Sequence, residues 1–373
     1  RQARFDRQNS KLKTMIYLIV QDWPNTHGNH AGMVHMCKLL VDKYPEKYEI
    51  FIKPSPVGFP IHKGFVGFIK RLWNHFVAQK VYAKQIYPKE YFILCQSMFD
   101  KLKDGDKVFL LEYLLPPVQQ YKLAFYIKKN FPKVNIYALS HLTVRYFKTH
   151  FDRKGATVRK WAAPIDYMLT FGTSLSSYFI SLGVEQKKIS SGFHYVDSDY
   201  YHKSLDIKTH DRLTVIAIGN LQRDYDLLAK VVRYLPDVDW IICHGCTSVG
   251  NLFSSCKNVD IKGFLSEEEL RHEMDIADVS INIMKDTIGS NVITTSLAMG
   301  LAMVVSDVGS IRDYCSEENA VFCENTVESF TTAINMLKNN PERVLRMRQR
   351  SLEASKKLTI KYVDNWFSCL GSA

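Results

Sequence analysis

No apolar run in this chain is longer than a strand, so no segment is expected to cross a bilayer as a helix. Residues 1–13 are polar and charged and lack the apolar stretch of a secretory signal. The eight cysteines show no disulfide-framework spacing, and Cys95, Cys243 and Cys323 sit in apolar runs, so a reduced, cytoplasmic compartment is expected. Cys243-His-Gly-Cys246 has no second pair at zinc-site spacing, so neither a metal nor a redox role is expected of it. There is no internal repeat and no low-complexity tract. Zinc-finger spacing, a helix-turn-helix and an aromatic RNA-binding signature are also missing, although the net charge is +11. That charge asks for an acidic partner. The absences direct the expectation away from nucleic acid and towards phosphate groups or an anionic membrane surface.

What is present is the composition of an ordinary soluble protein, 46% hydrophobic and 23% charged, in 373 residues, enough for two domains with full cores. Strand patterns fall at 15–20, 48–52, 107–111, 135–139 and 167–171. After the polar stretch 198–212 they resume at 213–218, 239–243, 259–261, 279–284, 302–306 and 320–323. Amphipathic helical segments separate them, for instance at 31–42, 119–130, 225–234 and 326–339. This rhythm predicts an α/β fold of two Rossmann-like domains with parallel sheets facing a central cleft, ligands lying beyond the C-terminal strand ends. The expected boundaries are 1–200, 201–355, and a last helix at 356–373, with Trp366 and Phe367, crossing back to the first domain.

The richest stretch runs from Asp278 to Asp307. A buried strand ends in a loop carrying Gly289, Ser290 and Asn291, then a short helix, then Gly300 and a second buried strand. Ser290 or Asn291 is a good N-cap and Gly300 a natural helix stop. Free amides at that helix N-terminus would make an anion site, while an ordinary ligand-free strand–helix–strand unit would read the same way.

Several landmarks resemble, in order, the retaining nucleotide-sugar glycosyltransferases of family 4, which have the GT-B fold. They are Gly28-Asn-His-Ala-Gly32, Ala138-Leu-Ser-His141, Thr173-Ser174 heading a helix, His194-Tyr-Val-Asp197, Ile218-Gly-Asn-Leu-Gln-Arg223 and Gly300-Leu-Ala-Met-Val-Val305. The resemblance implies a donor held by Gly32, Gly219, Asn220, Arg223, Phe264, Leu265, Gly289, Ser290, Asn291, Thr294 and Thr295, with His141 beside the reacting carbon. It implies no cofactor, no metal and no protein nucleophile, retention being by same-face substitution. His30 and Glu112 are the acceptor-side candidates. Two family glutamates are replaced by Thr287 and Thr295, which offer a hydroxyl and no charge. Asp286 is the neighbouring substitute for the first, and the diphosphate lysine has no counterpart.

Arg223 suits a diphosphate because its guanidinium stays charged and grips two oxygens at once; an ion pair with Asp224 or Asp226 is its alternative. At 63–84, Phe65, Phe68, Ile69, Leu72, Trp73 and Phe76 form one stripe with Lys63, Lys70 and Arg71 off it. That pattern fits a helix lying on anionic lipid, and equally a core-facing helix with solvated lysines. The expectation is therefore transfer of a sugar, UDP being the favoured carrier ahead of GDP, to a carbohydrate or lipid-linked acceptor in polysaccharide or glycoconjugate synthesis. A catalytically silent scaffold and a GT-B epimerase are the alternatives.

Overall fold

The computed structural model describes residues 14–23, 26, 28–54, 87–115, 120–151, 155–203 and 212–371; the helix read at 63–84 lies outside them. Among the described residues twelve strands form two six-stranded sheets, and every pairing within them is parallel. The first contains β1 (Ile16–Gln21), β2 (Tyr48–Lys53), β3 (Lys107–Leu110), β4 (Asn135–Ser140), β5 (Tyr167–Thr170) and β6 (Ile189–Ser191) in the order β2-β1-β3-β4-β5-β6. The second contains β7 (Thr214–Ile218), β8 (Asp239–Cys243), β9 (Val259–Lys262), β10 (Val279–Asn282), β11 (Ala302–Ser306) and β12 (Ala320–Cys323) in the order β12-β11-β10-β7-β8-β9. This is the two-domain α/β architecture that the strand–helix rhythm predicts. Only the short β6 escapes the pattern, because Ile189-Ser-Ser has a single apolar residue to announce it.

The strand orders decide where a ligand can sit. The order in which strands are added reverses between β1 and β3 in the first sheet and between β7 and β10 in the second, and a crevice opens beyond the C-terminal ends of such strands. Gln21 and Glu112 close the ends of β1 and β3, while Gly219 and Lys285–Thr287 lie beyond β7 and β10. Helices covering both faces explain the continuous apolar strands: Ile16 to Val20, Val108 to Leu110 and Ala302 to Val305 are all buried.

The helix Asn291–Ala298 begins where the sequence suggested. Ser290 is its cap, its hydroxyl accepting from the Ile293 amide at 3.4 Å, and Gly300 ends the segment with φ of 62°. The last helix, Ile360–Cys369, belongs to the first domain's core through Ile360, Val363 and Phe367. Phe367 packs 4.4 Å from Phe109, Trp366 donates its indole N–H to Ser190 Oγ at 3.0 Å, and Tyr48 donates to Asp364 at 2.6 Å. Lys107 Nζ donates to the Ser368 carbonyl at 2.9 Å, placing a cation on that helix's negative end.

The helix Pro341–Ser355 is locked to the second sheet by a buried ion pair. Arg348 donates to Asp278 Oδ1 and to the Gly300 carbonyl, both at 2.9 Å, and Asp278 Oδ2 accepts the Thr214 amide at 3.0 Å. The two side chains are 0% and 3% exposed. Removing one partner leaves a buried charge, so Arg348→Met should lower stability by about 3–5 kcal/mol, read as a fall in the urea midpoint without loss of cooperativity.

Candidate functional site

At the C-terminal ends of both sheets lies a cavity of about 440 Å³ lined by residues of both domains. The first domain contributes Gln21, Gly32, Glu112, His141 and His194, and the second Gly219, Asn220, Arg223, Asp286 and Gly289–Asn291. Arg223 is held by its own loop, its Nε donating to the Ile218 carbonyl at 3.0 Å. Gln222 beside it has φ of 58°, and residues 222–224 pair with 283–285: the Asp224 amide donates to Ile283 and the Lys285 amide to Gln222. Asp224 does not pair with Arg223. It caps the helix Tyr225–Arg233 through the Leu227 amide and lies 3.7 Å from Lys285 Nζ. Burial pushes the Arg223 pKa down to about 10, which still leaves a full positive charge at neutral pH.

Lining the same cavity is the N-terminus of the helix Asn291–Ala298. Gly289 has φ of 85°, and a Cβ there would lie 2.2 Å from the Tyr314 ring, so only glycine fits this turn. Gly289, Ser290 and Asn291 all line the cavity. A guanidinium and a helix N-terminus on one wall make a site for a polyanion.

On the other wall His141 Nε2 lies 2.9 Å from Glu112 Oε2, with Glu112 only 1% exposed. The approach is off-axis, since neither Glu112 oxygen nor His141 Nε2 has an aligned hydrogen-bond partner; charge couples the two. Burial works against protonation of His141, but the Glu112 charge and a hydrogen bond to the Leu111 backbone outweigh it and raise its pKa. His194 goes the other way. Burial, reinforced by His141, lowers it to about 3, and its ring lies 3.9 Å from Phe171.

A second cavity of about 210 Å³ continues from the first, sharing Gly219, Asn291 and Val292. It opens beyond β7, β8 and β9, between Gly245, Gly263, Phe264, Leu265, Glu267 and Thr295, with Asn29 and Ala31 from the first domain. Phe264 is 66% exposed there and so is not a core residue.

Residues 212–340 match the family model described as glycosyl transferases group 1. The match lies on the second domain, from just before β7 to the residue before the helix Pro341–Ser355. Solved structures show the same GT-B fold across nearly the whole chain. HepE from Anabaena, in complex with UDP and glucose, is 13% identical, with a TM-score of 0.64 over 94% of this chain and 98% of that one. Sucrose-phosphate synthase from Thermosynechococcus elongatus is 10% identical, with a TM-score of 0.69 over 95% and 98%. A glycosyltransferase from Rickettsia africae is 11% identical, with a TM-score of 0.64 over 97% and 100%. No curated protein matches the chain in sequence.

Within this GT-B cleft not every expected residue faces the space. His30 lines neither cavity; its Nδ1 lies 2.8 Å from Asp197 Oδ2. Thr294 is buried and turns its hydroxyl to the Asn291 and Tyr195 carbonyls. Thr295 does line the second cavity, but its hydroxyl donates back to Asn291 at 2.7 Å, and Thr287 Oγ1 accepts the Gly289 amide at 3.0 Å. Asp286 lines the first cavity with both oxygens engaged: one takes the Arg145 amide of the other domain at 2.7 Å, the other its neighbour Thr287 at 2.8 Å.

Glu267 is a site residue that sequence reasoning missed. Its carboxylate accepts the amides of His30 at 2.9 Å and Ala31 at 3.2 Å, and the Tyr201 hydroxyl at 2.6 Å, so it spans the domains beside the second cavity. The capping box of Ser266 and Glu269 announces a helix start at that point, but not where Glu267 reaches.

The two cavity histidines should give opposite pH responses. An unfolded histidine titrates near about 6.5, so raised His141 adds stability that is complete below that pH and lost as pH rises through its folded pKa. His194 stays neutral until about pH 3, so the unfolded chain takes up the proton first and stability falls as pH drops below about 6.5. Glu112→Gln should shift the His141 imidazole titration, followed by NMR, to lower pH. His194→Phe should flatten the acid-side fall in urea midpoint; a titration or a midpoint profile unchanged by these substitutions would contradict the assigned causes.

Proposed function

We propose that the protein is a retaining glycosyltransferase that takes a sugar from a nucleoside diphosphate, with UDP the favoured carrier, and passes it to a carbohydrate or lipid-linked acceptor. One observation carries this reading: Arg223 and the 289–291 helix start converge on one cavity wall, and the His141–Glu112 pair stands on the other. As the glycosidic bond breaks, negative charge grows on the departing diphosphate. A buried guanidinium and the amides of Ser290 and Asn291 at the helix start would stabilise that charge, the Gly289 amide being already taken by Thr287. The nucleoside would extend into the second cavity, its base against Phe264 and Leu265. HepE bound to UDP-glucose, 12% identical with a TM-score of 0.65, lends support to a UDP-sugar through shared fold.

His141 would meet the sugar or acceptor hydroxyl, with Glu112 positioning the ring and favouring its protonated form. Enclosure of the cavity between the domains would limit hydrolysis of the donor by water. No cofactor and no metal at the reacting centre is part of this reading, as are synthesis of a cell-surface polysaccharide or glycoconjugate, a cytoplasmic setting, and peripheral membrane contact through 63–84. No helix among the described residues is long and apolar enough to cross a membrane.

A second reading, a silent scaffold with this fold, draws on the two threonines whose hydroxyls are spent on the local backbone. Donor hydrolysis separates the two. The enzyme should release UDP slowly from the correct UDP-sugar without an acceptor, and Arg223→Ala should reduce that release by about a hundredfold, with Arg223→Lys retaining part of it. UDP should raise the melting temperature of the wild type and fail to do so in Arg223→Ala. Donor binding with no release would favour the scaffold; binding indifferent to Arg223 would overturn the site.

A further inference from the structure

His30, His35 and Asp197 meet at one point outside the cavity. Asp197 Oδ2 lies 2.8 Å from His30 Nδ1 and 2.8 Å from His35 Nε2, and the three ligating atoms lie within 4.8 Å of one another. No other group of three or more such side chains forms among the described residues. The three come from different parts of the first domain: the loop after β1, the first turn of the helix Met33–Lys43, and the segment after β6.

We propose that this trio is a binding site for a divalent transition-metal ion of the zinc class, separate from the centre of sugar transfer. Two imidazole nitrogens and one carboxylate oxygen are donors that zinc and its neighbours accept readily, whereas magnesium and calcium prefer all-oxygen shells. A zinc ion at about 2.0–2.1 Å from each nitrogen needs ligand atoms a little over 3 Å apart, so Asp197 would retreat by about half an ångström from each histidine while the two ring nitrogens, within 4.8 Å of each other, settle to the same spacing.

The surroundings hold the donors in place. Asp197 Oδ1 accepts the Asp199 amide at 3.1 Å, which fixes the carboxylate plane. The His30 ring stacks on Tyr200 at 3.8 Å with 9° between planes, and the His35 ring lies 4.4 Å from that of His30. Exposures of 33% and 23% for the histidines leave an entry path and room for water in the fourth position. Without an ion each ring nitrogen donates a proton to Asp197. With an ion that proton moves to the other ring nitrogen, or leaves if the ring is charged, and the freed lone pair binds the metal; affinity should therefore fall in acid. Arg271, 4.7 Å over the Tyr200 ring, is a nearby cation, and the Glu267 carboxylate acts on the same ring with the opposite sign.

The consequence reaches the substrate side. His30 lies in the loop whose Asn29 and Ala31 line the second cavity and whose amides at 30 and 31 hold Glu267. An ion behind this loop would fix its shape without touching the reacting atoms.

The test uses the full chain stripped with chelator and titrated with Zn²⁺ alone, followed by calorimetry and by Co²⁺ substitution. The expected result is one stoichiometric site, a higher melting temperature, and Co²⁺ d–d absorption without a thiolate charge-transfer band. His35→Gln and Asp197→Asn should each weaken Zn²⁺ binding by about tenfold or more. His35→Cys should add the thiolate band that the wild type lacks, a gain of signal that misfolding cannot mimic. Absence of stoichiometric binding, undiminished affinity in the folded variants, or a thiolate band in the wild type, which would place the ion on native cysteines, each overturns the proposal.

Discussion

Side chains of the second domain end on backbone amides of the first, and the cleft depends on those contacts. Asp313 accepts the Thr173 amide and hydroxyl, at 2.6 and 2.9 Å, and Ser310 accepts the Ser174 amide at 3.0 Å, so the helix Thr173–Ser181 is capped from across the domain boundary. Tyr314 donates to the Phe171 carbonyl and accepts the His194 amide at 2.9 Å. Asp286 takes Arg145, and Glu267 takes His30 and Ala31. Helix starts and loops leave amides that must find an acceptor, and here the acceptors belong to the opposite lobe.

This arrangement gives the electrostatics of the cleft their order. Carboxylates that could have repelled a diphosphate are drawn onto amides at the margins, Asp286 at one side and Glu267 at the other. Arg223 is left to face the cavity with its Nε anchored by a carbonyl. Glu112 is the carboxylate that stays in the cavity without such an amide, and it is answered by His141. The positive and negative features thus lie on opposite walls, the geometry needed to hold an anionic leaving group and a hydroxylic partner at once.

The same packing explains why the turn at 289 is intolerant. Tyr314 reaches both Phe171 and Ile288, and its ring fills the space a side chain at 289 would need. Closing the domains and shaping the helix start that faces the cavity are therefore one constraint. A larger residue there would disturb the domain boundary and the anion site together.

Periodicity alone determined the two parallel sheets, the helix layers, and the helix start at Ser290, because these depend on neighbours in sequence: buried runs, caps and stops act over a few residues. Strands Val279–Asn282 and Ala302–Ser306 are legible for that reason, and so is Gly300. The tertiary structure alone decided which polar side chains face the cleft. His30 looked like a cavity residue by its loop, yet it turns to Asp197; Asp286 does line the cavity, but its oxygens are already held by the Arg145 and Thr287 amides. Glu267 and Tyr314 carried no local signal, since their partners across the domain boundary include Ala31, 236 residues from Glu267, and His194, 120 residues from Tyr314. Where a buried amide or ring nitrogen finds its partner is settled by how distant segments fold together, and a local pattern holds no record of it.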